Sequence, residues 1–122
     1  MIWIRFGCLL GFLAVCSGAF GAHFLKKHLS EYSLTIFNTA VQYKMFHGLG
    51  LILLGLSSYH ADFKQNFINN SGICFLLGVF LFSASLFILA LFPQQKWLGA
   101  ITPFGGLLFL AGWVFFGLAI TK

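Results

Sequence analysis

Along this chain, long uncharged apolar runs alternate with short polar punctuation, and the runs have the length of membrane-crossing helices rather than of soluble ones. Residues 6–22 carry no charge and are bracketed by Arg5 and by His23 with Lys26, which predicts helix one. Residues 65–95 are also uncharged, and inside them residues 73–92 are an almost unbroken series of Leu, Phe, Ile, Val and small side chains, which predicts helix three. Residues 97–121 are uncharged as well. Thr102 is suited to cap a helix there and Pro103 to open it, because a missing N–H is harmless at the first position. Helix four is therefore expected over 103–121, with Trp97 as an interfacial anchor.

Helix two is harder to read, since Lys44 and His47 interrupt it and only residues 45–59 remain uninterrupted beyond the lysine. A run of that length falls short of the roughly 20 residues that a span requires. Upstream, Leu25, Leu29, Tyr32, Ile36, Ala40 and Tyr43 recur every three or four positions, while Ser33, Thr35, Asn38, Thr39 and Gln42 occupy other faces. This amphipathic segment either lies along the membrane surface or continues into helix two as one rod over 33–59. The lack of Gly and Pro within 25–46 favours the rod. The connections at 60–66 and 93–96 are short, so successive helices should be antiparallel neighbours. The expected fold is all-α: one integral membrane domain over residues 1–122, an antiparallel bundle of four transmembrane helices with an amphipathic lead into helix two.

Composition agrees with this reading. With 60% hydrophobic residues and nine charged side chains, seven Lys and Arg plus two acids, the chain lacks the polar surface to cover a water-soluble globule. The net charge of +5 comes from scattered cations rather than a clustered basic face, which argues against nucleic acid and for membrane lipid as the anionic neighbour. Arg5, the apolar run after it and the small residues over 17–22 imitate a secretory signal, but Val15 is bulky before Cys16, and the segment is read as a retained first helix. Cys8, Cys16 and Cys74 have neither paired-thiol nor zinc-finger spacing and are expected to behave as small buried hydrophobes. Orientation is almost balanced, with Arg5, Lys64 and Lys122 on one side against Lys26, Lys27 and Lys96 on the other. Lys44 reaching toward the first loop would make that loop cytoplasmic.

Helices in lipid associate through close packing and hydrogen bonds, so aligned small residues mark contact faces. Gly7, Gly11, Ala14, Gly18 and Ala22 form such a face on helix one, and Gly105, Gly112 and Ala119 on helix four. On helix three Ser71, Cys74, Gly78 and Ser85 do so, with the bulky phenylalanines directed elsewhere. These faces are packing seams within one chain or, alternatively, contacts of a homo-oligomer.

Ionisable groups at membrane depth are costly and point to function. His23, Tyr43, Lys44 and His47 are the candidates: Tyr43 and His47 lie one helical turn apart, and His23 ends helix one near the start of helix two. Together they suggest a small polar binding site near one membrane face, supported by Asn38 and Gln42. The competing explanation is structural, with the same groups tying helices together. A haem or metal site lacks an evident third ligand, and proton-coupled transport lacks an intramembrane carboxylate, because Glu31 and Asp62 fall in loops. No nucleophile elbow, phosphate loop or dinucleotide fingerprint is present, so neither enzymatic activity nor a cofactor is expected. The functional expectation is a non-enzymatic binding or scaffolding module, with an oligomeric small-solute or lipid transporter or pore as the alternative.

Several short stretches carry a resemblance: Gly18–Ala19–Phe20–Gly21–Ala22–His23, Tyr43 with His47, Phe82–Ser83 with Ser85, and Leu98–Gly99, Ile101–Thr102–Pro103, Gly105–Gly106 and Gly112–Trp113. In this order and over this length the chain resembles the YgdD-like small inner-membrane proteins grouped as domain of unknown function 423. It departs from their pattern at Lys44, where glutamine is expected, and at Ala84, where glycine is. The resemblance implies a four-helix integral protein of the bacterial inner membrane with no established biochemical activity.

Overall fold

The computed structural model describes residues 1–120, so the expected end of helix four at Thr121 and the cation Lys122 lie outside the described residues. Four long helices follow one another: α1 (Ile2–His23), α2 (Glu31–Ser57), α3 (Gln65–Leu91) and α4 (Leu98–Leu118), with a single 3-10 turn, Leu25–Lys27, between the first two. Three stretches, Ile2–Lys27, Gln65–Leu91 and Leu98–Leu118, are long and apolar enough to cross a membrane.

Local chemistry sets the ends. Ser30 caps α2 by accepting the Ser33 amide at 3.1 Å, and Glu31 then sits in the first turn, where a negative charge suits the helix dipole. Upstream, the amides of His28 and Leu29 both bond the Leu25 carbonyl, so the chain turns before the cap. The amphipathic repeat at Leu25 and Leu29 thus belongs to the turn, and the rod occupies Glu31–Ser57 rather than 33–59. α4 begins five residues before Pro103, because the amides of Leu98, Gly99 and Ala100 bond the carbonyls of Gln95, Lys96 and Trp97 in succession. Thr102 is therefore not a cap: its hydroxyl bonds back to the Leu98 carbonyl at 3.2 Å. Pro103 sits in the second turn, and the helical bond it cannot make falls to Gly99, an exposed residue.

The contacts run in opposite order along each successive pair. Gly7 lies against Gly48 and Ile52, whereas Gly18 meets Val41 and Gly21 meets Phe37. On α2 and α3, Gly50 faces Phe75, the Ala40 carbonyl accepts from Ser83, and Phe37 meets Phe87 edge-on at 4.9 Å. On α3 and α4, Phe75 packs on Gly112, Phe109 on Gly78 and Phe82 on Gly105. α2 and α3 thus form the middle of the bundle, flanked by α1 and α4. At one rim Leu25 packs with Phe37 and Ala90; at the other the Lys64 amide bonds the Ala119 carbonyl at 2.8 Å, tying the α2–α3 connection to the end of α4.

Glycine makes the approach close. A Cβ at Gly7 would stand 2.5 Å from the Gly48 carbonyl oxygen, and one at Gly105 would stand 2.5 Å from the Phe82 amide nitrogen. Gly78 and Gly112 face aromatic rings at the same separation, while Gly11 has open space and Gly18 only an ordinary contact with Val41. The closest approach on α1 therefore runs through Gly7, Ala14 and Gly21, a heptad, with Gly11 and Gly18 at the side of that face. Cys8 and Cys16 fall off this seam and are exposed, against the expectation of burial, and Cys74 is half-buried. Gly48, Gly50 and Gly55 supply the matching small face of α2. The phenylalanines are not confined to the outside: Phe75 is fully buried, with its ring between Gly50 and Gly112, and Phe37 and Phe109 are buried with it.

Candidate functional site

The midsection of α2 brings the most hydrophilic side chains inside. α2 is the least apolar of the four by sequence, yet ten of its residues are buried, including Ser33, Lys44 and His47. Burial of polar groups among helices requires partners.

His47, 5% exposed, has one at each ring nitrogen. Nδ1 lies 2.8 Å from the Tyr43 carbonyl, which only accepts, and Nε2 lies 3.2 Å from the Trp113 indole nitrogen, which only donates. The two contacts assign the tautomer: the proton is on Nδ1 and the Nε2 lone pair receives the indole N–H. The ring also stacks on Phe109 with centroids 3.5 Å apart and meets Phe75 edge-on at 5.1 Å. The imidazole thus links α2 to α4, and the lone pair that would bind a metal is already engaged. Among the described residues no group of three or more His, Cys, Asp or Glu could hold a metal ion.

Lys44, 7% exposed, donates to the Ser17 hydroxyl on α1 at 2.9 Å, and its ammonium lies 4.4 Å from the centroid of the Phe87 ring on α3. Ser17 in turn donates to the Leu13 carbonyl at 2.6 Å. The two acids of the sequence are remote along the helix: Glu31 is about 20 Å of helical rise away, and Asp62 lies beyond the opposite end of α2. A hydroxyl and an aromatic face therefore hold this cation, the latter by attraction to the ring quadrupole.

Tyr43 lies at the edge, 38% exposed, with its ring 4.5 Å from Phe82 and 6.1 Å from His47. Asn38 and Gln42 are exposed on the outside of α2. His23 stands apart. Gly48 meets Leu10 and Gly11, so His47 is level with that part of α1, and His23 lies about 20 Å further along the helix. The structure brings Tyr43 and His47 together against Phe109, turns Lys44 to Ser17 and Phe87, and leaves His23 exposed at the rim, because opposite contact order carries the end of α1 toward the start of α2 and away from its middle.

The partners that sequence reasoning missed are Ser17, Phe87 and Trp113. Ser17 looked like one small residue among several, and Trp113 entered only through the resemblance. Three further hydroxyl ties complete the interior: Ser71 to the Gly112 carbonyl at 2.7 Å, Ser83 to the Ala40 carbonyl at 3.0 Å, and Ser85 with Thr102 at 2.8 Å. Elsewhere among the described residues, clefts open at the start of α3 beside Lys64, about 390 Å³, beside Phe63, Phe116 and Ile120, about 260 Å³, and between α3 and α4 beside Ser85 and Leu98, about 150 Å³.

Comparison with known proteins finds relatives that are named membrane proteins. The profile of the family described as "Protein of unknown function (DUF423)" matches residues 17–106. A UPF0382 membrane protein of Staphylococcus haemolyticus is 47% identical over 113 residues, covering 93% of this chain and 89% of the relative. A second, from Staphylococcus epidermidis, is 42% identical with 99% and 96% covered. The Bacillus subtilis UPF0382 membrane protein YwdK is 37% identical with 99% and 97% covered. No solved structure matches the chain.

Proposed function

This chain belongs to the DUF423 family, and from that premise we propose that it is a non-enzymatic scaffolding module of the bacterial cell membrane, an antiparallel bundle of four spans whose interior polar groups serve as ties. Connectivity supports the fourth span. α1 and α3 run in the same direction, because each contacts α2 in opposite order, and two crossings in one direction call for a return between His23 and Gln65. Only α2 lies there, and at about 40 Å of helical rise it has the length. Its ionisable residues Lys44 and His47 are tolerable at that depth because both are buried and bonded, Lys44 to Ser17 and His47 to Trp113.

One observation carries the scaffolding role: the polar side chains facing inward are engaged with neighbouring helices. Lys44 holds α1, His47 holds α4, and Ser83 joins α3 to α2. Phe75, Leu51, Leu54 and Ile68 fill the centre without residual exposure, so a carrier or pore would need its path between copies of the chain. Mass spectrometry of the intact protein released from detergent separates scaffold from binding site. Lys44→Met and His47→Phe are expected to shift the melting temperature while the set of retained molecules stays the same. A stoichiometric small molecule on the wild type that both substitutions remove would overturn the scaffold in favour of a ligand site. Solute flux through vesicles containing the protein would overturn it in favour of the pore.

A further inference from the structure

We infer that the rim formed by the end of α1, the α1–α2 connection and the α3–α4 connection is a docking surface for acidic phospholipid headgroups, and hence the rim that faces the cytoplasm. This rests on the four-span reading. His23, Lys26, Lys27 and His28 are all exposed within one short segment, and Lys96 is exposed on the α3–α4 connection. The two segments share a rim, because Leu25 packs against Phe37 and Ala90. Lys44 adds a cation from below. Its ammonium reaches the ring of Phe87, four residues before the end of α3, so it comes to within about 6 Å of helical rise of this rim.

Among the described residues, this rim exposes Lys26, Lys27 and Lys96 against Glu31, with Lys44 buried beneath them, whereas the opposite rim has Arg5 and Lys64 against Asp62. Aromatic groups flank the cations. Phe20 and Phe24 stack at 5.1 Å, Phe24 and His28 at 4.8 Å, and Trp97 is 62% exposed beside Lys96. Exposed lysines ringed by interfacial aromatics match the chemistry of the headgroup layer, where each lysine favours anionic over neutral lipid about five-fold. The anionic leaflet and the positive-inside bias both select the cytoplasmic side.

Trp97 serves as a native reporter, its signal being the fluorescence that Trp97→Phe removes. The full chain is reconstituted into vesicles of phosphatidylcholine with a minority of phosphatidylglycerol, with bromine on the acyl chains of one lipid at a time. Brominated phosphatidylglycerol is expected to quench Trp97 several-fold beyond its share of the mixture. Lys26→Gln, Lys27→Gln and Lys96→Gln together should remove the excess, as should high salt with the wild type. Quenching in proportion to lipid composition overturns the headgroup surface without touching the scaffold, since insertion is unchanged. For the side, a C-terminal alkaline phosphatase fusion should be active and a green fluorescent protein fusion dark in cells. The reverse pattern overturns the cytoplasmic assignment.

Discussion

Gly105→Ala is expected to destabilise the bundle by about 3 kcal/mol, whereas Gly106→Ala, one residue away, should be neutral or stabilising by about 0.5 kcal/mol. The difference is one of direction. A methyl group at Gly105 would meet the backbone of Phe82, its amide nitrogen at 2.5 Å and its Cα at 2.9 Å, and no rotamer change moves those atoms. α3 and α4 must then separate, and Phe109 loses its seat on Gly78. At Gly106 the methyl enters open space, so only the higher helix propensity of alanine acts. Gly7 and Gly11 repeat the contrast on α1, the first against the Gly48 carbonyl and the second free. Thermal unfolding in detergent, followed by circular dichroism, measures both pairs. Equal losses at Gly105 and Gly106 would mean that the helices do not meet on this face.

Ser17→Ala should cost about 2 kcal/mol, because it removes the hydroxyl from an ammonium that has already left water. The loss should vanish in a chain that also carries Lys44→Met. That substitution keeps an unbranched side chain, one atom shorter, that packs among apolar groups and no longer requires a polar partner, and replacing a buried charged pair by apolar groups is commonly neutral or stabilising. A lysine within a span also carries an insertion penalty of about 3 kcal/mol, which methionine avoids. The double-mutant cycle therefore predicts coupling of the order of the single loss. If Ser17→Ala were as costly in the Lys44→Met background as in the wild type, the serine would matter for its bond to the Leu13 carbonyl alone.

The apolar helices α1, α3 and α4 were legible because a long run without charge has few other stable states in lipid. α2 was legible as a rod but not as the centre of the bundle. Its glycines at 48, 50 and 55 follow a lysine and a histidine, and those residues suggest an edge at the interface rather than a core. The ends were less legible, since Pro103 and Thr102 fit a helix start as well as a second turn, and three carbonyls of the preceding turn decided between them. Tyr43, Lys44 and His47 could be grouped by helical spacing alone, because they share one helix. Their partners could not: which face of α1 meets Lys44 depends on whether Gly7 and Ala14 or Gly11 and Gly18 form the seam, and composition does not distinguish them. The expectation that His23 joins His47 failed for a related reason. It treated both as residents of one rim, whereas Lys44 sits mid-helix and His47 lies deeper still.

The clasped polar core requires α2 to cross the membrane, and side-specific labelling tests the crossing. In a chain freed of Cys8, Cys16 and Cys74, single cysteines at Lys27 and His60 flank α2 at exposed positions. With a membrane-impermeant maleimide, the two sites are expected to label from opposite sides of the membrane. Labelling of both from the same side would mean that α2 lies along the surface, leaving three spans and no clasped polar core.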